Sequence, residues 1–487
     1  MNTMNLCRGE WLLLRRDRTA WIAYLFFTVV CLAALAQGVS TARREAAFRS
    51  ELAGEEASRI AALQGEMGAL GRGGKSPEAW QDPRNAGAMG RGRGATYAML
   101  PAEPFDALRV ARTQVVSVTT AAGPLEGATG NLENPRLQGI GPFDLAFVLV
   151  VLLPLFVLGL TFDVVARDRE SFVLRLLLSQ GIHARRAYAM RAAVRTLPLV
   201  LVAVASVLLG LAFSPTGHAP YSDVGLVTVA IAVYALFWAC VAVALQGIFH
   251  AAAASGLASL AAWFFLVVAA PVLLEAHVEA RVPIPSRTER TMLVREATRQ
   301  ASLEGSKLLA RYYEDHPDLA QSGARPDPDD YYARQIASRA RVRTAAAPVE
   351  ASYHDALTAQ RALVRRYSAA SPVVVLDRLL DDLAGTSRER HDAFSEQVTT
   401  FQRYFSAWFD RKVLVHEPLT AASLTERPAF TFVPAARADG GWTLGALGLW
   451  AALALFAASG GLTSATRLGT SSGERIARGP HGLEEGT

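Results

Sequence analysis

Four consecutive charged residues, Arg167-Asp168-Arg169-Glu170, form the most informative cluster in this chain of 487 residues. They follow one long uncharged run and precede another. Charges enter a lipid bilayer only at high cost, so such a cluster must face water or a protein partner. We interpret these residues as a charged surface offered to a partner.

Apolar residues follow the cluster at helical spacing. Phe172, Val173, Leu176 and Leu177 share one predicted helical face, and Gly181 interrupts the pattern. This pattern predicts an amphipathic helix at the membrane surface, with its leucines on the bilayer or on neighbouring helices. The alternative is an interfacial anchor with no partner.

Motifs for catalysis or metal binding are incomplete. Residues 69–76 are one residue short of a nucleotide-binding P-loop, because Ala69 stands where the first glycine should be. Asp377 and Asp381 lie one helical turn apart and could act as a catalytic pair, but a solvated acidic face is the simpler interpretation. We therefore predict no catalytic, cofactor-binding or metal-binding residue in this chain. The net charge of +5 without a basic patch also predicts no nucleic-acid partner.

Long uncharged runs predict an all-α polytopic membrane protein with six transmembrane helices. A helix needs about 20 apolar residues to cross a bilayer. Residues 224–274 lack Asp, Glu, Lys and Arg, and residues 246–250 divide this run into two spans. The predicted spans are residues 19–38, 142–162, 197–215, 224–246, 252–274 and 441–463.

The arginines predict the orientation. With six spans, the basic segments 1–18, 163–196 and 464–487 all fall on one side, and the short loop 216–223 has no basic residue. Arginine-rich short segments stay in the cytoplasm, so both termini are predicted to be cytoplasmic. The two long segments, 39–141 and 276–439, are then external.

The N-terminus allows two interpretations. We predict that residues 1–18 form an interfacial helix leading into a retained span, because Trp11 and the three leucines after it suit a membrane surface. The alternative is a cleaved signal peptide, since Ala34-Leu35-Ala36 resembles a cleavage site.

The second external segment is predicted to be a helical domain inserted between spans 5 and 6. Ser371-Pro372 begins a helix and Gly385 ends it, and Thr386 with Glu389 predicts a capping box for the next helix. That helix carries an apolar stripe at Phe394, Val398, Phe401, Phe405 and Trp408.

The segment from Phe162 to Gly181 resembles the coupling loop of ABC-2-type permeases, the transmembrane subunits of one exporter class. In that family a charged segment followed by L-x-L-L-L-S connects the second and third spans, as Leu174 to Ser179 does here. The external pattern around Ser371 and Ala384-Gly385-Thr386 resembles a subgroup with large outer loops, the multicopper-enzyme-maturation-type permeases. The resemblance extends over most of the chain.

This resemblance implies a set of partners. An ABC ATPase subunit would bind ATP and magnesium, and this chain would hold no cofactor. A second permease chain would complete a homodimer or heterodimer, membrane lipid would surround it, and the external domain leaves room for a periplasmic partner. The ATPase-coupling residues would be Arg167, Asp168, Arg169, Glu170, Phe172 and Leu176.

Three functions are compatible with these features. The first is a permease that couples ATP hydrolysis by a separate ATPase to export across the bacterial inner membrane. The second is an ATP-driven mechanical transducer that acts on an external partner and moves no substrate. The third is a membrane enzyme with its active site in residues 276–439, which no motif supports.

Overall fold

In the computed structural model, six helices are long and apolar enough to cross a membrane, as the uncharged runs predict. We call them spans 1 to 6: Arg18–Gly71, Leu145–Glu170, Arg185–Phe213, Tyr221–Ile248, Ala252–Arg281 and Gly440–Gly461. The fold is therefore that of a helical multi-pass membrane protein.

The structure describes ten stretches of the chain. They are residues 3–73, 77–110, 114–120, 143–171, 173, 179, 183–284, 286–321, 327–434 and 440–477.

Span 1 belongs to a single helix of 54 residues. At 1.5 Å per residue it is about 80 Å long, far more than the roughly 30 Å of a hydrocarbon core. Asp17 caps its start by accepting hydrogen bonds from the backbone N–H groups of Thr19 and Ala20. The helix therefore leaves the apolar layer and continues into the domain beyond it.

Spans 2 and 4 form the centre of the bundle, whereas span 5 lies at its edge. In spans 2 and 4, 61% of the apolar window is buried, against 11% in span 5. Spans 4 and 6 approach closely at two glycines, where a Cβ on Gly247 would lie 2.2 Å from the Cα of Gly461.

Two spans contain a π-helical turn, at Val148–Leu152 in span 2 and Phe264–Ala269 in span 5. Each lies just before a proline, Pro154 or Pro271, near the start of the next helical segment. Proline has no N–H and crowds the preceding turn, so the ordinary helical bond cannot form there.

The bundle has two different ends. One end, here called the loop end, carries the N-terminal helix Thr3–Arg16, the last part of span 2 and the short connection between spans 4 and 5. The opposite end, the head end, carries the extension of span 1 and a helical head domain.

The head domain consists of the span 1 extension, residues 77–120 and residues 287–434. Its helices are Ala86–Arg91, Arg287–Leu303, Gly305–Asp315, Pro317–Gln321, Tyr331–Tyr367, Pro372–Ala384, Arg388–Leu414 and Ala421–Thr425, with 3-10 turns at Asp106–Leu108 and Ser368–Ala370. Strands Thr96–Met99 and Val115–Val118 pair antiparallel, with Thr96 opposite Val118. This small sheet is an addition to the predicted all-helical architecture.

The predicted helix pair in the head domain is present. Helix Pro372–Ala384 ends at Gly385, which adopts the left-handed conformation with φ of 75°. Its leucines pack in the same apolar core as the spans. In helix Arg388–Leu414, Phe394, Val398 and Phe405 are buried, which confirms the apolar stripe.

The predicted capping box is wrong. Helix Arg388–Leu414 begins after Ser387, one residue later than expected. The hydroxyl of Thr386 donates instead to the Asp381 carboxylate at 2.6 Å, so it is not available to cap the next helix.

Near the C-terminus, span 6 lies at Gly440–Gly461, close to the predicted 441–463, but its helix extends further. It is continuous over Gly440–Ala477 and takes up the first part of the predicted tail.

Candidate functional site

The charged cluster forms a short helix, Ala166–Glu170, at the loop end, here called the loop helix. It forms the last part of span 2 and follows the apolar helix that ends at Thr161 through a turn at residues 162–165. The buried side chain of Gln246 in span 4 holds this turn. Its Oε1 accepts from the N–H groups of Val165 at 2.6 Å and Ala166 at 3.2 Å, and its Nε2 donates to the Thr161 carbonyl at 2.8 Å.

Gln246 therefore satisfies backbone groups that the turn would otherwise leave unpaired inside the bundle. Such groups are costly to bury without partners. The sequence analysis used residues 246–250 only to divide two spans and missed this role. A glutamine within a long apolar run was the available signal.

Asp168 points inward, which corrects the expectation that all four charges face a partner. The residue is 8% exposed. Its carboxylate accepts hydrogen bonds from Arg191 at 2.7 Å and from the Tyr188 hydroxyl at 3.2 Å. Arg191 also donates two hydrogen bonds of 2.8 Å to Glu10. One guanidinium thus joins the loop helix, span 3 and the N-terminal helix.

A second ion-pair group lies beside the first. Asp163 is buried and pairs with Arg167 at 2.6 Å and with Arg195 at 3.5 Å. Arg195 also donates to the Leu160 carbonyl at 2.9 Å. This group links the end of span 2 to the first turns of span 3.

Arg169 is turned toward the bundle as well. It is partly buried, and both terminal nitrogens donate to the Gln246 carbonyl at 3.3 Å. Its charge therefore supports the end of span 4.

Arg167 and Glu170 form the outward surface of the loop helix. The Arg167 side chain is 68% exposed even though it pairs with Asp163. Glu170 is exposed, and its Oε1 accepts from the Ala252 N–H at 2.8 Å, at the first residue of span 5. The loop helix thus contacts spans 3, 4 and 5 and still presents two charged side chains. Phe172 and Leu176, the other two predicted coupling residues, lie outside the described residues.

The N-terminal helix has the amphipathic character expected of an interfacial helix. Trp11, Leu12 and Leu13 are exposed, whereas Leu14 is buried in the bundle core. Its apolar side is therefore available to lipid while Glu10 fixes it to Arg191.

At the head end, the acidic face formed by Asp377 and Asp381 is only partly solvated, with side-chain exposures of 44% and 26%. Arg109 lies between them, paired with Asp377 and 2.8 Å from Asp381. Burial raises the pKa of Asp381 to about 6, although the Arg109 charge opposes this shift. The two carboxylates thus help to hold residues 101–110 against helix Pro372–Ala384.

Metal binding has no support in the part of the chain that the structure describes. No group of three or more His, Cys, Asp or Glu side chains there is arranged to hold an ion.

Comparison with known proteins informs only the head domain. Residues 287–433 match the model of a domain of unknown function, DUF3526. The match covers most of the head domain and none of the six spans or the loop helix. No curated protein and no solved structure matches the chain.

Proposed function

We propose that this chain is the transmembrane permease subunit of an ABC transporter, which couples ATP hydrolysis by a separate ATPase to export across the bacterial inner membrane. The loop helix is the observation that carries this proposal. It exposes Arg167 and Glu170 while Asp168 and Arg169 fix it to the bundle. An ATPase bound to the two exposed charges would move a part of the chain that is firmly attached to the spans.

The contacts of the loop helix suit the transmission of force. Gln246 ties it to span 4, Arg191 ties it to span 3, and Glu170 contacts the first residue of span 5. Buried, hydrogen-bonded ion pairs hold their partners in a defined geometry, and breaking one is costly. A displacement of the loop helix should therefore displace several spans together.

The charge distribution supports placing the loop end in the cytoplasm. The segments at the loop end carry most of the arginines that flank the spans. Short segments rich in arginine are retained inside the cell. The head domain would then be periplasmic, and both termini would be cytoplasmic.

A mechanical transducer is the second candidate, and the joints between the bundle and the head domain favour it. Span 1 continues into the head domain as one helix. The leucines of helix Pro372–Ala384 pack in the core of the spans, and the Trp450 indole N–H in span 6 donates to the Ala369 carbonyl at 2.9 Å. Motion of the spans would thus move the head domain, which could act on an external partner without moving a substrate.

Reconstitution with an ABC ATPase that co-purifies with this chain would test the proposal. We expect the wild-type chain to stimulate ATP hydrolysis, and the double substitution Arg167→Glu and Glu170→Arg to abolish the stimulation. Arg341→Glu, at an exposed position in the head domain, is the control. Unchanged stimulation by the double variant would contradict the proposal.

The same vesicles separate export from transduction. For this test the vesicles are loaded with a small-molecule extract of the cell. Export predicts that ATP changes the amount of at least one compound inside the vesicles, as measured by mass spectrometry. Transduction predicts no such change, but an ATP-dependent change in distance between spin labels at Asp355→Cys in the head domain and Tyr221→Cys at the start of span 4.

A further inference from the structure

The head domain contains a polar cavity of about 330 Å³ that the proposed transport function does not use. Three elements surround it: helix Gly305–Asp315 with the short helix after it, helix Tyr331–Tyr367 and helix Arg388–Leu414. Three arginines line it: Arg343, Arg403 and Arg411. The volume falls in the range of small-molecule sites, roughly 300–1,000 Å³.

The arginines give this cavity an excess of positive charge. Asp318 and Asp410 also line it, so three arginines face two carboxylates, and the Asp410 carboxylate already binds Arg339 at 2.8 Å. Arg343, Arg403 and Arg411 have no ion-pair partner among the residues that the structure describes. Burial, with the nearby charges of Arg339 and Arg403, lowers the pKa of Arg343. All three arginines are exposed, and an anion bound among them would relieve the repulsion between their charges.

The cavity also has an apolar part. Leu319 and Leu414 line it and are largely buried. The ring of Tyr312 stacks on that of His316 with 4.1 Å between centroids, and both rings belong to the lining. The cavity therefore offers an apolar and aromatic wall beside its arginines, which suits an organic molecule with an anionic group.

The cavity lies at a distance from the end of span 3. Arg390 pairs with Glu103, whose carbonyl accepts from the Thr216 hydroxyl just after span 3. Arg403 and Arg411 follow Arg390 on the same helix, about 20 and 30 Å further along at 1.5 Å per residue. The cavity therefore lies well along this helix from its contact with the end of span 3.

We propose that this cavity binds a small organic anion through a phosphate or carboxylate group held by Arg343, Arg403 and Arg411. A guanidinium can donate two parallel hydrogen bonds to either group, which makes arginine the usual residue for such recognition. The apolar wall would contact the rest of the molecule. This site does not involve the loop helix, so a test of anion binding does not depend on the transport proposal.

Calorimetric titration of the full chain in detergent micelles tests the site, with citrate and inorganic pyrophosphate as probes. We expect saturable binding of at least one probe, and the preferred probe identifies the anionic group. Arg343→Ala and Arg403→Ala should each weaken binding at least tenfold. Arg341→Ala, an exposed position two residues from Arg343 on the same helix, should leave binding unchanged.

Thermal unfolding without a probe gives a second measurement. Because the arginines repel one another, Arg403→Ala should unfold at the wild-type temperature or higher. Three results would overturn the proposal: no saturable binding of either probe, an equal loss in Arg341→Ala, or competition with citrate by anionic lipid in nanodiscs. The last result would assign the arginines to a membrane surface.

Discussion

At the scale of single residues, Arg191 links three elements of the loop end: the N-terminal helix, the loop helix and span 3. Its guanidinium is largely buried and contacts the carboxylates of both Glu10 and Asp168. Removal of one partner from a buried ion pair leaves charges that neither water nor a counter-ion compensates. Arg191 therefore contributes to the attachment of both the N-terminal helix and the loop helix.

We expect Arg191→Ala to destabilise the folded chain by about 3–5 kcal/mol, the usual effect of breaking a buried ion pair. Thermal unfolding of the purified protein in detergent measures this loss. Arg186→Ala, at an exposed position on the same helix, should change stability little. Equal effects of the two substitutions would show that the buried network is not what holds the loop end.

Asp381 gives a pH dependence with a defined sign. Its pKa is raised to about 6 in the fold, whereas an aspartate in an unfolded chain has a pKa of about 3.9. Between these values the folded state binds more protons than the unfolded state. The contribution of Asp381 to stability is therefore fully present below about pH 4 and is lost as the pH rises through about 6.

Asp381→Asn should remove this contribution, so the wild type should lose stability relative to the variant between about pH 4 and 6. Unfolding temperatures measured across this range would show it. Asp355→Asn, at an exposed head-domain position, is the matched control. Parallel pH curves for wild type and Asp381→Asn would contradict the assignment.

At this scale the sequence identified the charged cluster but not its partners. Arg167 and Glu170 are exposed as expected, whereas Asp168 is buried. Asp168 and Arg191 are 23 residues apart, and Glu10 is 181 residues from Arg191. Such distant pairs depend on how the spans pack, and spacing along the chain does not report that.

At the scale of elements, spans 4 and 6 depend on small residues at their contact. Gly247 and Gly461 face each other so closely that neither has room for a Cβ without movement of the other helix. Close helix approach at small residues is a general means of packing in membranes. The sequence analysis noted 246–250 as a break between spans, but a glycine there does not reveal which helix lies against it.

We expect Gly247→Ala to lower the unfolding temperature of the purified chain, because the added Cβ meets the Gly461 backbone. Gly460→Ala is a strict control, since a Cβ there has nothing within 4 Å. Alanine favours a helix over glycine by about 1 kcal/mol, so that variant should be neutral or slightly stabilised. A loss of stability in Gly460→Ala equal to that in Gly247→Ala would contradict this contact.

The periodic elements were the most predictable part of the fold. Five uncharged runs, one of them divided into two, predicted the six spans, and the apolar stripe of helix Arg388–Leu414 was visible from its spacing alone. The strands Thr96–Met99 and Val115–Val118 were not predicted, because each has only four residues and the pairing joins separate segments. The prediction of a capping box was wrong because the Thr386 hydroxyl donates a hydrogen bond to the Asp381 carboxylate instead.

At the scale of the whole molecule, the head domain and the loop end lie at opposite ends of the bundle, and the proposed topology puts them on opposite sides of the membrane. We expect Asp355→Cys to react with an impermeant thiol reagent in intact cells, and His250→Cys to react only after permeabilisation. Both positions are exposed, and Cys7, Cys31 and Cys240 would first be replaced by alanine. Labelling of His250→Cys in intact cells would reverse the proposed orientation.

Site-specific photo-crosslinking in living cells tests the central proposal most directly. A photoreactive amino acid at Arg167, where the side chain is 68% exposed, would face the proposed ATPase. The same amino acid at exposed Asp355 in the head domain is the control. We expect an ATP-binding-cassette ATPase to be cross-linked from position 167 and not from position 355. The absence of such an ATPase at 167, or its equal capture from both positions, would contradict the coupling role of the loop helix.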